Sequence, residues 1–344
     1  MRVGILTGGG DCPGLNAVIR AIVRKGEVHY GDELVGFLDA WDGVLGRRTI
    51  DLDVRSLRGM LPRGGTFLGT KRGSPFDHPG GPEQVNAAFD ELGLDGAIVI
   101  GGNGSLTVAC KLHREFGVPL VGVPKTIDND IEGTQVTFGF HTAVQIATDA
   151  IDRLHTTAES HDRVMVVEVM GRDAGWIATY AGIAGGATVI LVPEEPFDLD
   201  KVCSILKRRH ERGRYASIVV VAEGATPVEG SMVLPAAEID RFGHKRLGGI
   251  AARLAPEIEG RTGFETRVVA LGHVQRGGTP SAYDRVLATR YGLAAIDAVH
   301  DQAWGDMVVF REQRIERAPL DVAVGRTRHL DMAMYQDVAA VFFG

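Results

Sequence analysis

Cysteine is scarce: Cys12, Cys110 and Cys203 are the only three in 344 residues, far apart and without a C-x-x-C pair. That pattern argues against a disulfide framework or a structural zinc site and fits a reducing compartment. Positive charge is not in excess, and the net charge of −7 argues against non-specific binding to nucleic acid or an anionic membrane. Local basic clusters can still recognise small phosphates. No apolar run approaches the length of a membrane span. Met1-Arg2-Val3-Gly4 leads into a strand-like segment instead of a secretory signal, so a cytoplasmic location is expected. Two phosphate-binding fingerprints are also missing, the dinucleotide G-x-G-x-x-G and the Walker G-x-x-x-x-G-K-[ST]. What remains is ordinary for a globular protein, 44% hydrophobic and 24% charged. The length suggests two domains.

Glycine loops beside apolar runs dominate the first half. Val3 to Leu6 reads as a strand, Thr7-Gly8-Gly9-Gly10-Asp11-Cys12-Pro13-Gly14 as a tight turn, and Leu15 to Lys25 as a helix. Strand, glycine turn and helix point backbone N–H groups at an anion, although the same glycines also suit close packing. Leu34-Val35-Gly36-Phe37-Leu38 reads as a second strand, and the stretch to about residue 60 as loop. Gly64-Gly65-Thr66-Phe67-Leu68-Gly69-Thr70-Lys71-Arg72 is a second glycine loop, which ends in two cations and reads equally well as an exposed loop with solvated charges. The third follows the strand at Gly96 to Ile100 and runs through Gly101-Gly102-Asn103-Gly104-Ser105 into a helix. Three such loops on one parallel sheet would make a phosphate-rich cleft.

The strand Leu120 to Val123 ends at Pro124, and Lys125-Thr126-Ile127-Asp128-Asn129-Asp130 follows at the edge where α/β sheets bind ligands. Two carboxylates there can divide the roles of base and Mg²⁺ ligand, with Lys125 offering a charge to phosphate. The plainer reading is a polar turn bonded to its own backbone. The same grammar returns in the second half. A strand at Arg163 to Val169 leads through Met170-Gly171-Arg172-Asp173-Ala174-Gly175 into a helix, and more strands are expected at Thr188 to Val192, Ala216 to Ala222 and Arg267 to Leu271. The basic helix Lys201 to Arg212 reads as a solvated face, and Thr226 to Lys245 as an irregular insertion. Past the last of these strands, Gly272-His273-Val274-Gln275-Arg276-Gly277-Gly278 gathers a histidine, an arginine and paired glycines.

Leu6 to Asn16, Gly65 to Gly69, Pro124 to Asp130, Val167 to Arg172 and Gly272 to Gly278, in that order, closely resemble the 6-phosphofructokinase family. The resemblance runs from Val3 to about Arg290 and is nearest to the actinobacterial branch, which mixes ATP and pyrophosphate users. It implies two Rossmann-like three-layer α/β domains with mostly parallel sheets and an active site in the cleft between them. The donor domain would be 1–139 with about 275–320, and the fructose 6-phosphate domain 140–274 with about 321–344. The implied reaction is Mg²⁺-dependent transfer of a phosphoryl group from ATP to the 1-hydroxyl of fructose 6-phosphate. Pyrophosphate is the alternative donor.

By the same resemblance Asp128 is the general base, Thr126 lies beside the incoming group, Arg172 neutralises charge, and Asn103 and Asp130 hold the metal. Gly10, Lys71, Arg72, Gly102, Asn103, Gly104, Ser105 and Lys125 form the donor side. The sugar side takes Thr126, Asp128, Met170, Gly171, Arg172, Glu223, His273 and Arg276. Arg163 and Arg267 match arginines that reach a neighbouring subunit, which implies a homotetramer or homodimer. Gly104 favours ATP, because pyrophosphate users commonly carry an aspartate there that crowds an α-phosphate. Lys125 points the other way. Asn103 departs from the acidic residue of the family pattern, which is expected to weaken metal binding or slow turnover. It also leaves open a weakly active or inactive paralogue that binds sugar phosphate as a sensor. Arg20, Arg24 and Arg153 fall near the effector positions of bacterial relatives, and solvated helix faces explain them equally well. The motifs read the phosphate better than the sugar, so other phosphosugars such as sedoheptulose 7-phosphate stay open.

Overall fold

The computed structural model describes residues 1–232 and 247–342. Part of the expected insertion, 233–245, lies outside the described residues. The strands are β1 (Arg2–Gly8), β2 (Glu33–Phe37), β3 (Thr49–Leu52), β4 (Gly96–Gly101), β5 (Leu120–Pro124), β6 (Val164–Val169), β7 (Val189–Leu191), β8 (Ser217–Ala222), β9 (Thr266–Ala270), β10 (Asp306–Arg311) and β11 (Arg314–Pro319). The main helices are α1 (Leu15–Lys25), α2 (Trp41–Leu45), α3 (Gly81–Leu92), α4 (Asn103–Phe116), α5 (Phe140–His161), α6 (Trp176–Ala184), α7 (Leu199–Glu211), α8 (Ile250–Thr262) and α9 (Ala282–His300). None of the helices among the described residues is long and apolar enough to cross a membrane.

The chain divides into two compact units, Met1–Thr142 with Arg276–Arg328 and Ala143–Gln275 with His329–Gly344. The last crossing falls after Arg328 instead of near 320, because residues 327 and 328 are bonded to the loop at 129–131 in the first unit.

The first unit holds a seven-stranded sheet in the order β11-β10-β5-β4-β1-β2-β3. Its central strands are parallel and every residue of β4 and β5 is buried, so they read in sequence as unbroken apolar runs. Both edges turn antiparallel, β3 on β2 and β11 on β10. The supposed loop before residue 60 therefore contains α2 and β3. Thr49-Ile50-Asp51-Leu52 gave no apolar signal because it is an edge strand with Leu52 as its one buried residue. The tight β10–β11 turn uses Glu312 and Gln313, both at positive φ, where a glycine would have announced it. The core is filled by residues such as Leu6, Phe37, Val99, Leu106 and Met307. Helix α9 packs closely on α1 at Gly292, where a Cβ would lie 2.5 Å from the Val18 carbonyl.

The second unit has a four-stranded parallel sheet, β7-β8-β6-β9. Strands β6 and β8 are buried throughout, whereas β9 lies at an edge and exposes Arg267, Val268 and Ala270. Val166, Leu191, Phe197, Leu206 and Val221 form its core with Leu254 of α8.

Candidate active site

In the first unit β5, β4 and β1 are neighbours and parallel, so the loops that follow them open at one sheet edge. Gly8 pairs with Gly101, and Gly101 with Pro124. Ser105, in the first turn of α4, fills the space beside both glycines. A Cβ on Gly8 would come to 2.5 Å from its Oγ, and one on Gly101 would collide with its Cβ. These two positions are glycine for packing. Gly10 makes room for Arg276, whose Nη1 would stand 2.6 Å from a Cβ there and donates to the Asp11 carbonyl at 3.2 Å. Gly104 differs from all of them: it is exposed, and nothing lies within 4 Å of where its Cβ would be. Helix α4 starts behind Gly102 without a side-chain cap, so its first N–H groups and its dipole form an anion-binding end.

The loop at 63–72 does not leave a strand. Polar groups carry it to the β1 turn instead. The buried Asn16 donates to the Arg63 and Gly64 carbonyls at 3.0 and 3.2 Å and accepts from Phe67 N–H at 3.1 Å. Thr7 donates to the Gly69 carbonyl at 2.8 Å, and Thr70 to the Gly9 carbonyl at 2.6 Å. At the end of this loop Lys71 and Arg72 are exposed, with Lys71 paired to Asp42 at 2.9 Å.

Lys125 is only 3% exposed. Its N–H donates to the Gly101 carbonyl at 2.9 Å and its ammonium to the Gly10 carbonyl, so it joins the turns after β1 and β4. Burial pulls its pKa below the ordinary lysine value. Burial likewise pushes the Cys12 thiol up to about 12, which keeps it neutral. Beyond Lys125, Thr126 Oγ1 accepts from Asp128 N–H at 3.1 Å and the Thr126 carbonyl accepts from the Thr137 hydroxyl at 2.7 Å. Asn129 sits between the two carboxylates at φ 54°, and its Oδ1 accepts from Thr137 N–H at 3.0 Å. Asn103 Nδ2 donates to Asp130 Oδ2 at 3.2 Å, whereas Asn103 Oδ1 is buried without a hydrogen-bond partner. No cluster of three His, Cys, Asp or Glu side chains able to hold a metal occurs among the described residues. The Asp130 carboxylate and the orphaned Asn103 oxygen are two hard donors, which suits a Mg²⁺ ion that draws its other ligands from phosphates and water.

In the second unit β8, β6 and β9 are adjacent and parallel, and the residues expected to meet the sugar follow their carboxyl ends. Met170, Gly171 and Arg172 follow β6, Glu223 follows β8, and His273 lies just past β9. Glu223 N–H donates to the Val169 carbonyl at 2.9 Å and Gly224 N–H to the Gly171 carbonyl at 3.1 Å. A Cβ on Gly224 would collide with the Arg172 carbonyl. The buried Gln275 accepts from Met170 N–H at 3.3 Å and donates to the Gly272 carbonyl at 3.1 Å, bracing the turn that carries the exposed His273. Glu168, buried in β6, accepts from Gly249 and Ala251 N–H groups at 2.9 Å each and so caps α8. Arg163 and Arg267 stand at the opposite pole, where both pair with Glu265, Arg163 at 2.8 Å. Hydrogen bonding from Arg163 holds the Glu265 carboxyl below its usual range. Arg276, expected beside His273, lies on the glycine turn of the first unit.

The phosphofructokinase family model matches residues 2–299. The chain belongs to the phosphofructokinase family. It is therefore a phosphotransferase acting on a hydroxyl group. It is 57% identical to the pyrophosphate–fructose 6-phosphate 1-phosphotransferase of Streptomyces coelicolor over 344 residues, with both chains fully covered. It is 55% identical to the ATP-dependent 6-phosphofructokinase of Mycobacterium leprae over 346 residues, again with full coverage of both. Among solved structures, a phosphofructokinase from Saccharomyces cerevisiae superposes with a TM-score of 0.83 at 32% identity. That match covers 99% of this chain and 47% of the yeast chain, so the chain spans about half the yeast protein's length. A pyrophosphate-dependent phosphofructokinase from Nitrosospira multiformis, 19% identical, shares the fold with a TM-score of 0.84 over 100% of this chain and 92% of its own.

Several residues that shape the family's motifs here carried no separate signal in the sequence. Asn16 sits inside an apolar run, and Thr7, Gln275 and Glu168 inside motifs where neighbours drew the attention. Arg328 lies beyond every motif, yet its Nη1 donates to the Asn129 carbonyl at 3.1 Å.

Proposed function

We propose that the protein is an ATP-dependent 6-phosphofructokinase that phosphorylates the 1-hydroxyl of fructose 6-phosphate. The observation that carries the donor assignment is Gly104: at the uncapped start of α4 no side chain crowds the place where an α-phosphate would lie. A carboxylate would fit there sterically, so packing does not require the glycine. The names of the relatives do not decide between donors, since 57% and 55% identity are too close to separate them.

In the proposed reaction the Asp128 carboxylate takes the proton of the 1-hydroxyl as that oxygen bonds the γ-phosphorus. The bond from phosphorus to the β,γ-bridging oxygen breaks and ADP leaves. Thr126, Arg172 and the α4 N–H groups stabilise the charge that develops. Gly10, Lys71, Arg72, Gly102, Ser105 and Lys125 complete the donor side. Met170, Gly171, Glu223 and His273 hold the sugar, with Arg276 adding a cation for a substrate phosphate. Mg²⁺, held by Asp130 and the Asn103 amide oxygen, would neutralise charge on the donor phosphates. Arg163 and Arg267 lie near the opposite end of β6 from Met170, about 20 Å away along six residues of strand. That separation supports their service to a neighbouring subunit in a homotetramer or homodimer. A cytoplasmic location suits the chemistry.

A pyrophosphate donor is the second reading, favoured by Lys125 on the Gly10 carbonyl. Assays with ATP and with pyrophosphate at varied Mg²⁺ decide between them. ATP is expected to support fructose 1,6-bisphosphate formation. Asp128→Ser should lower kcat by about 10²- to 10⁴-fold with a much smaller change in KM. Turnover with pyrophosphate alone would overturn the donor. Retained turnover in the serine variant would remove Asp128 as the base, and no turnover with either donor, with fructose 6-phosphate still raising Tm, would favour a sensor.

A further inference from the structure

The matched family region ends at residue 299, but the chain continues and returns to the loop that carries Asp128 and Asp130. Thr327 and Ile131 form an isolated antiparallel bridge. The Arg328 backbone N–H donates to the Asp130 carbonyl at 2.8 Å, and its guanidinium Nη1 donates to the Asn129 carbonyl at 3.1 Å. All of these residues belong to the first unit.

Asn129 is the pivot. Its left-handed φ of 54° is a conformation that asparagine tolerates and most residues avoid, and it turns the chain between the two carboxylates. A left-handed residue persists where its surroundings hold it. The Asn129 side chain is held by Thr137 and its carbonyl by Arg328, the latter through a charge-assisted bond stronger than one between neutral groups. Other braces act on the far end of the same loop: Tyr291 donates to the Val136 carbonyl at 2.7 Å and Arg311 to the Gly133 carbonyl at 2.8 Å. Neither reaches the carboxylate end, where Asn103 holds the Asp130 side chain and Arg328 the backbone between the two carboxylates.

We propose that Arg328 is a positioning residue for phosphoryl transfer, and that residues 327 and 328 act as a strap that fixes the turn from Asp128 to Asp130. This rests on the phosphotransfer reading above. Its contribution is the orientation of the base and of the metal-binding carboxylate relative to each other, with no contact to substrate required.

The test compares Arg328→Ala, Arg328→Met and Arg328→Lys with the full-length protein. Each variant keeps the backbone bond from residue 328 to Asp130, so the fold is expected to survive. Turnover by Arg328→Ala should fall about 10- to 100-fold, as a displaced catalytic group requires. KM for fructose 6-phosphate should stay within about twofold. Guanidinium ion below denaturing concentration should restore turnover to the alanine variant but not to the methionine variant, whose side chain fills the space. Lysine should recover little, because an ammonium lacks the directed fork. Independently of activity, hydrogen exchange should quicken at amides 127–132 in the alanine variant while β1 and β4 keep their protection. Wild-type turnover and exchange in Arg328→Ala would overturn the proposal. So would a general loss of protection across the unit with a matching fall in Tm, which would make Arg328 an anchor of the fold only. If the wild-type chain phosphorylates nothing, the phosphotransfer reading fails alone, and local exchange still decides whether the strap exists.

Discussion

Asn103 holds Asp130 with its Nδ2 and leaves its own Oδ1 buried and unbonded. An aspartate in its place would set two carboxylates about as close as that 3.2 Å bond, a like-charge pair that is costly until a cation enters. The substitution Asn103→Asp is therefore expected to lower Tm in the presence of a chelator and to gain more from added Mg²⁺ than the wild type does. The Mg²⁺ concentration for half-maximal turnover should drop by about tenfold. Calorimetry and Mg²⁺ titrations check both. Equal Mg²⁺ dependence in the two proteins would mean that donor phosphates and Asp130 hold the metal without residue 103. The sequence marked this position as a departure in charge, but it could not disclose the orphaned oxygen, which depends on how the amide is turned by a residue 27 positions away.

Strands buried on both faces announce themselves, and β1, β4, β5, β6 and β8 were legible as apolar runs ending in glycine or polar turns. In the first sheet β3, β10 and β11 were not: β3 has one buried residue, and the β10–β11 hairpin lacks a turn glycine. The glycines themselves carried several meanings under one letter. Gly8 and Gly101 yield to Ser105, Gly10 yields to Arg276, and Gly104 faces open space. In the second unit Gly224 supports the backbone of Arg172, whose carbonyl occupies the site of any Cβ. Gly224→Ala must push the 171–175 turn aside, and overpacking of this kind costs about 1–3 kcal/mol. Turnover should fall by about 10²-fold through displacement of Arg172, with a smaller drop in Tm than a core cavity would cause. Kinetics and thermal melts decide this. Unchanged kcat would mean that the turn moves without disturbing the chemistry, or that Arg172 has no part in it.

At the scale of the molecule the question is whether one chain completes its own sugar-phosphate site. Arg163 and Arg267 share Glu265 at the far end of the sheet from Met170 and Glu223, so under the proposed sugar site they have, within a chain, an acid to neutralise and no substrate beside them. If they serve a neighbour, the two halves of the site can be broken in different chains and restored by mixing. An Arg163→Ala/Arg267→Ala double variant and Asp128→Ser should each turn over poorly alone. Co-expressed in equal amounts, half of the sites would carry an intact Asp128, and half of those would face a neighbour with intact arginines. About one quarter of wild-type activity should then return, as expected for random assembly of symmetric pairs. Activity no higher than the average of the two parents would place both arginines in the service of their own chain. The ion pairs with Glu265 would then be their whole role, of the modest worth that exposed pairs have.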